Sequence, residues 1–175
     1  VDLPYASDVC TEVSQTVDED GRHLENPPPA AELYEQIPPT SGPHIPQVRG
    51  RVAGLEGELD VQQVPQLLEL GSVGLFVDPA HPDAERIETW ARTAALSGYV
   101  SQVGAAVFAA SMPERATLQT PIALVGWGQM TVCDEFDAAA ATAFIHAYYG
   151  DRGSAPEGFV AGYPDPAPLR AFGDG

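Results

Sequence analysis

Of the residues in this chain that can do chemistry, His44 is the one most firmly presented. It ends the string Pro38-Pro39-Thr40-Ser41-Gly42-Pro43-His44, whose prolines fix φ and whose Gly-Pro pair turns the backbone, so the imidazole is held at a set angle. An imidazole held that way can ligate a metal ion or move a proton near neutral pH. The same residues have a plainer use, in which Ser41 and His44 hydrogen-bond neighbouring backbone and pin the segment; one imidazole does not make a site. His81, before Pro82 at a helix entry, and His146, off the apolar stripe of a later helix, suit solvated surface positions. Asp18-Glu19-Asp20, and Glu56-Gly57-Glu58 with Asp60, offer oxygens to a hard cation but lack the alternating ligands of a dedicated loop, and read as solvated acidic turns. The stretch 98–104 has no strand-turn-helix context for a phosphate loop and the chain has no Lys. Gly71-Ser72-Val73-Gly74 lacks the spacing of a nucleophile elbow.

The elements that must position these residues are unevenly spread. Residues 1–60 carry little apolar periodicity, and their prolines predict an extended arm rather than a helix or a central strand. Val61, Val64, Leu67 and Leu68 predict a short helix from Asp60 to Glu69, with Gly71 as its stop. Ser72–Val77 reads as a buried strand closed by Asp78-Pro79. Pro82, Asp83, Glu85 and Glu88 mark the start of a helix with Ile87, Trp90, Ala91 and Ala94 on its apolar stripe and Gly98 as its stop. Val100–Ala110 and Ile122–Cys133 are β-rich runs, predicted to pair as antiparallel neighbours, with Gly104, Gly126 and Gly128 marking bulges or close approach. Asp134 or Asp137 can cap a last helix with Phe136, Ala140, Ala143, Phe144, Ala147 and Tyr148 on one face and Gly150 at its end.

These elements define an α+β fold: a small mixed or antiparallel sheet, one face covered by two main helices, with long irregular arms at both ends. Three parts result: an extended Pro-rich arm (1–60) packed on the domain, an α+β core (61–150) and a Gly/Pro-rich tail (151–175). The tail carries isolated anchors at Phe159, Tyr163, Leu169 and Phe172, expected to be partner-binding.

Composition narrows the classes of partner. The chain has 175 residues, enough for one domain, and its 25 acidic against 8 basic residues give a formal charge of -17. Nucleic acid, which is bound through Lys and Arg, is therefore not expected as a partner, and anionic lipid surfaces are disfavoured for the same reason. All 8 basic residues are Arg, as in a high-GC genome or a salt-adapted host. No apolar run is long enough to span a bilayer, and the start at Val1 gives the expectation of a mature chain that has lost a signal or anchor, although a trimmed chain would begin the same way.

The PPTSGPH string, preceded by Gly21-Arg22-His23 and followed by Leu68-Glu69-Leu70-Gly71, IALVGWGQ at 122–129 and CDEFD at 133–137, resembles the bacterial domain-of-unknown-function family 3105 from about Cys10 to Gly150. The resemblance implies an extracytoplasmic protein (periplasmic, cell-surface or secreted). It also implies an ancestral metal site, because the family pattern has two histidines four residues apart, able to share one helix face and grip one ion. Here Gln66 and Leu70 stand at those positions, so at least two donors are lost and only His44, with His23 and Glu69, remains. Added zinc or copper is accordingly expected to stabilise the chain little.

Two cysteines, Cys10 and Cys133, in a chain of extracytoplasmic character are expected to form a disulfide tying the arm to the end of the second β run. The alternative is a buried Cys133 and an exposed Cys10 thiol. The functional expectation is a non-enzymatic binding or scaffold module without a cofactor, an accessory subunit with a protein partner in a larger, membrane-associated assembly. The competing expectation is a metal-binding protein or metal-dependent hydrolase using His44 with His23 and Glu69.

Overall fold

The computed structural model describes residues 6–46, 59–97, 107–150 and 155–158. The fold is α+β, built on one five-stranded mixed sheet. Its strands are β1 (Cys10–Glu12), β2 (Val73–Val77), β3 (Val107–Ser111), β4 (Ile122–Gly126) and β5 (Gln129–Cys133), in the spatial order β1-β5-β4-β2-β3. Its helices are α1 (Ala30–Leu33), α2 (Val64–Glu69), α3 (Ala84–Ser97) and α4 (Ala138–Tyr148).

The strand pairing differs from the expected one. The run 122–133 is a hairpin rather than one bulged strand: β4 pairs antiparallel with β5 from Ile122↔Cys133 to Gly126↔Gln129, around the two-residue turn Trp127-Gly128. Gly128 sits at φ +64°, where a side chain would be strained. Strand β3 pairs in parallel with β2 (Val73↔Val107 to Val77↔Ser111) and not with the 122–133 run. Helix α3 is the reason, since the chain leaving β2 crosses over through it and returns in the same direction.

Alternation along the strands sends residues to two cores. On one face Val73, Leu75, Val77, Ile122 and Leu124 pack against Ile87, Trp90 and Ala91 of α3 and Ala140, Ala141, Phe144 and Ile145 of α4. Both main helices thus cover one face. Asp137 caps α4, its Oδ1 accepting from Ala139 N and Ala140 N at 2.9 and 3.0 Å. The buried face of α4 is turned by about one residue from the expected one: Ala141, Ile145 and Tyr149 are buried, whereas Ala143 and Ala147 are only half-buried. A helix rich in alanine has too wide an apolar arc for periodicity to place its centre. The side chain of Ala94 and the stop at Gly98 lie outside the described residues.

On the other face Phe76, Phe108, Ala123, Val125 and Met130 meet Val64, Leu67 and Leu68 of α2, with Trp127 and Ala155. The ring of Phe108 fills the space above its partner Gly74, where a Cβ would come within 2.5 Å of Phe108 Cζ. A 3-10 turn (Val61–Gln63) leads into α2, capped by Asp60 Oδ1 accepting from Gln62 N at 3.0 Å. Pro65 is accommodated in the first turn of α2, where its missing N–H costs no helical bond.

Among the described residues of the N-terminal arm the regular elements are the edge strand β1 and the single helical turn α1. Cys10 and Cys133 stand opposite each other in the β1–β5 register and form a disulfide with a Cα–Cα distance of 4.1 Å.

Candidate metal site

The PPTSGPH string is fixed from several sides. Thr40 O accepts from Gly128 N at 2.9 Å, tying the string to the β4–β5 turn. Ser41 Oγ accepts from Asp18 N at 2.9 Å, and the buried Tyr34 hydroxyl donates to Pro43 O at 2.7 Å. Ile37 and Thr117 exchange backbone and side-chain bonds at 3.0 Å. Gly42 adopts φ +111°, which lets the chain turn back so that its own carbonyl faces His44. Ser41 thus pins the arm, and His44 is held fully buried at one spot.

Three separate pieces of chain meet there. His44 N donates to Arg22 O at 3.0 Å and Leu24 N donates to His44 O at 2.8 Å, a short parallel bridge that sets His23 beside His44. Their rings lie edge to face with centroids 5.0 Å apart. Ile45 N donates to Gln62 O at 3.1 Å, which ties the string to the turn leading into α2, and α2 ends on Glu69. His44 Nε2 lies 3.3 Å from Glu69 Oε2. Donor atoms of His23, His44 and Glu69 all fall within 4.8 Å of one another, the one such trio among the described residues.

The protonation pattern of His44 gives this cluster its character. Nδ1 lies 2.9 Å from Gly42 O, and a carbonyl only accepts, so Nδ1 carries a hydrogen and Nε2 is the nitrogen turned toward the carboxylate. Nε2 is buried without a hydrogen-bond partner, facing the carboxylate of Glu69. A lone pair on Nε2 and the carboxylate repel at this distance unless a proton or a metal cation lies between them. Burial pushes the Glu69 carboxyl above its usual range; His44 draws it back, Glu157 adds repulsion, and His23 gives a smaller attraction. Gly21 makes room for this carboxylate, since a Cβ there would stand 2.9 Å from Glu69 Oε1.

The other candidates do not converge on this point. Asp18 Oδ1 accepts from Asp20 N, and Asp20 forms an exposed ion pair with Arg22 at 2.7 Å, so that acidic string is a local turn. His81 is half-buried and its Nδ1 accepts from Asp83 N at 3.1 Å at the entry of α3; His146 is half-buried on α4. Neither is the solvated surface residue that the sequence suggested. Gln66 is buried, and Leu70 packs against the α3/α4 core. The string 56–58, the stretch 98–104 and the anchors Phe159, Tyr163, Leu169 and Phe172 lie outside the described residues. Sequence reasoning passed over Gly21 and Glu157: Gly21 was visible only as the first residue of Gly21-Arg22-His23, and nothing local marks Glu157.

The chain matches, over residues 30–161, the family described as Protein of unknown function (DUF3105), and it belongs to that family. His44 and Glu69 fall inside the matched segment, whereas His23 and Cys10 precede it. Comparisons with curated proteins and with solved structures returned no match.

Proposed function

We propose that this protein is an extracytoplasmic metal-binding module that holds a divalent transition-metal ion, zinc being the best fit, on His23, His44 and Glu69. The observation that carries the reading is the buried, unpartnered Nε2 of His44 facing Glu69 Oε2 at 3.3 Å. Two donors each about 2.0–2.1 Å from a tetrahedral zinc stand about 3.3 Å apart, so this pair already has the separation of two ligands on one ion. His23 is exposed, with a ring nitrogen within 4.8 Å of the other two donors. The Gly42 carbonyl supplies the outer hydrogen bond that fixes the tautomer of a ligating histidine. A set of two histidines and one glutamate leaves a fourth position open toward the exposed His23 side, the pattern of a site that exchanges ligands rather than of a closed structural centre.

The disulfide supports the extracytoplasmic setting, since such bonds persist in oxidising compartments. Among the described residues no helix is long and apolar enough to cross a membrane.

The sequence favoured a scaffold, because Gln66 and Leu70 occupy the positions of two family donors. The convergence of the three remaining donors favours metal binding instead. The test is a zinc titration followed by thermal melting. At a hundredfold excess over Kd, zinc is expected to add about 2.7 kcal/mol of stability, and His44→Gln and Glu69→Gln are expected to abolish that gain while each variant still melts cooperatively. A wild-type protein indifferent to zinc, or a shift that survives in His44→Gln, overturns the proposal.

A further inference from the structure

Away from the three donors, residues 14–18 and 33–41 of the arm flank a half-open cavity of about 490 Å³, a size usual for small-molecule sites. Two polar side chains of its wall, Thr40 and Ser41, are only 4% and 7% exposed. The side-chain donors of Gln15, Tyr34, Gln36 and Thr40 are spent within the protein. Thr40 Oγ1 and Gln36 Nε2 both donate to Gln15 Oε1, at 3.0 and 2.9 Å, Gln15 Nε2 donates to the Val13 and Ser14 carbonyls at 3.2 Å, and the Tyr34 hydroxyl donates to Pro43 O. What the wall has left to offer is chiefly acceptors, above all the carboxylates of Asp18 and Glu35. Asp18 Oδ2 and the Tyr34 ring close on one spot, since a Cβ at Gly42 would stand 3.4 Å from Asp18 Oδ2 and 3.5 Å from Tyr34 Cε1. The described ion pairs engage Asp20, Glu69 and Asp83, not Asp18 or Glu35, and no Arg or His lines the cavity.

We infer that this cavity binds a small organic cation through a guanidinium or ammonium group, with Asp18 and Glu35 as its acceptors. An anion would meet two carboxylates and no cation there. A neutral polyol needs donors as well as acceptors from its site, whereas a guanidinium or ammonium group only donates, which is what a wall with its amide donors spent can satisfy. Bonds from such a group to a carboxylate are charge-assisted and so among the stronger ones, and its alkyl stem packs beside the Tyr34 ring. The formal charge of -17 draws cations toward the whole surface, so what distinguishes the cavity is that binding there depends on these two carboxylates in particular. The inference is independent of the metal-binding reading, since none of His23, His44 and Glu69 lines the cavity.

Titration calorimetry of the full-length protein with N-acetyl-arginine amide, its neutral twin N-acetyl-citrulline amide, and spermidine tests this. The arginine compound and spermidine are expected to bind saturably at one site and to compete, and the citrulline compound to bind at least about tenfold more weakly than the arginine one, the usual scale of a hydrogen bond to a charged group. Asp18→Asn and Glu35→Gln are each expected to weaken both cations about tenfold or more. Asp18→Asn keeps an oxygen for Asp20 N, so the turn at 18–20 is retained. Glu85→Gln, which removes the same charge from an exposed position on α3, is expected to leave binding unchanged. Tighter binding of spermidine assigns the cavity to free polyamines, and tighter binding of the arginine compound assigns it to an arginine side chain of another protein. Equal binding of the citrulline compound, an equal loss in Glu85→Gln, or no saturable binding of either cation overturns the inference.

Discussion

The two faces of the sheet solve the same problem by different means. On one, α3 and α4 lay Ile87, Trp90, Phe144 and Ile145 over alternating strand residues, and hydrophobic burial does the holding. On the other, α2 covers Phe76, Val125 and Met130, while the arm beyond it is held by hydrogen bonds at Asp18, Tyr34, Thr40 and Thr117 to particular atoms. A helix face tolerates exchange of one apolar side chain for another of like size. An arm pinned atom by atom tolerates little, but it can carry an imidazole to an exact depth, and it is on this side that His23, His44 and Glu69 meet. Regular packing makes the platform, and irregular chain makes the site.

The largest effect that separates the two faces should come from the disulfide. It joins residues 123 apart in sequence, and by chain-entropy reasoning a loop of that order contributes about 4–5 kcal/mol, with measured gains often smaller. Reduction should therefore speed amide exchange across the arm more than within α3 and α4, and a reduced protein whose arm stays as protected as its helices would erase the distinction. Next, Phe144→Ala should cost about 3–5 kcal/mol from a cavity in the α3/α4 core. Its zinc affinity at a temperature where it remains folded should match the wild type. A change in affinity as large as that of Glu69→Gln would mean that the two faces are not separable.

The smallest effect is a pH dependence on the arm side. Burial, and then the nearby Asp60 carboxylate, hold the Tyr34 phenol above the ordinary tyrosine value. A raised value in the folded state means that the stability contributed by Tyr34 is fully present below the unfolded value of about 10 and is lost as pH rises from there toward the folded value. Metal-free protein should melt at falling temperature above about pH 10, and the fall should be shallower in Tyr34→Phe. Equal slopes would show that the hydroxyl donated to Pro43 O does not hold the string.

What could be read from the sequence follows the same division. Helices α3 and α4 were visible because burial on one side imprints a period on the residues, strand β2 because it is apolar throughout, and the α4 cap only as Asp134 or Asp137. The hairpin was missed because its turn is Trp127-Gly128, and a tryptophan in the turn made β4 and β5 look like one apolar run. The parallel pairing of β2 and β3 is a property of the α3 crossover, which no local pattern encodes. For the site, the donors His23, His44 and Glu69 were identified through the family resemblance, while their meeting depends on backbone bonds between residues 22–24 and 44, and between 45 and 62, that have no periodic signature. Glu157 was invisible for the same reason, since its place is set by a bond from its backbone rather than by the chemistry of its neighbours.

The Cys10–Cys133 bond encloses every one of the three donors within the loop that it closes. A protease that cuts the backbone once anywhere inside that loop yields two polypeptides that still travel as one molecule until a reductant is added. A cut between His44 and Glu69 would leave the two histidines on one piece and the carboxylate on the other, with the covalent tie keeping the pieces from drifting apart. In an environment rich in proteases and poor in thiols, such a nicked protein would run at full mass on a non-reducing gel and split into two bands on a reducing one.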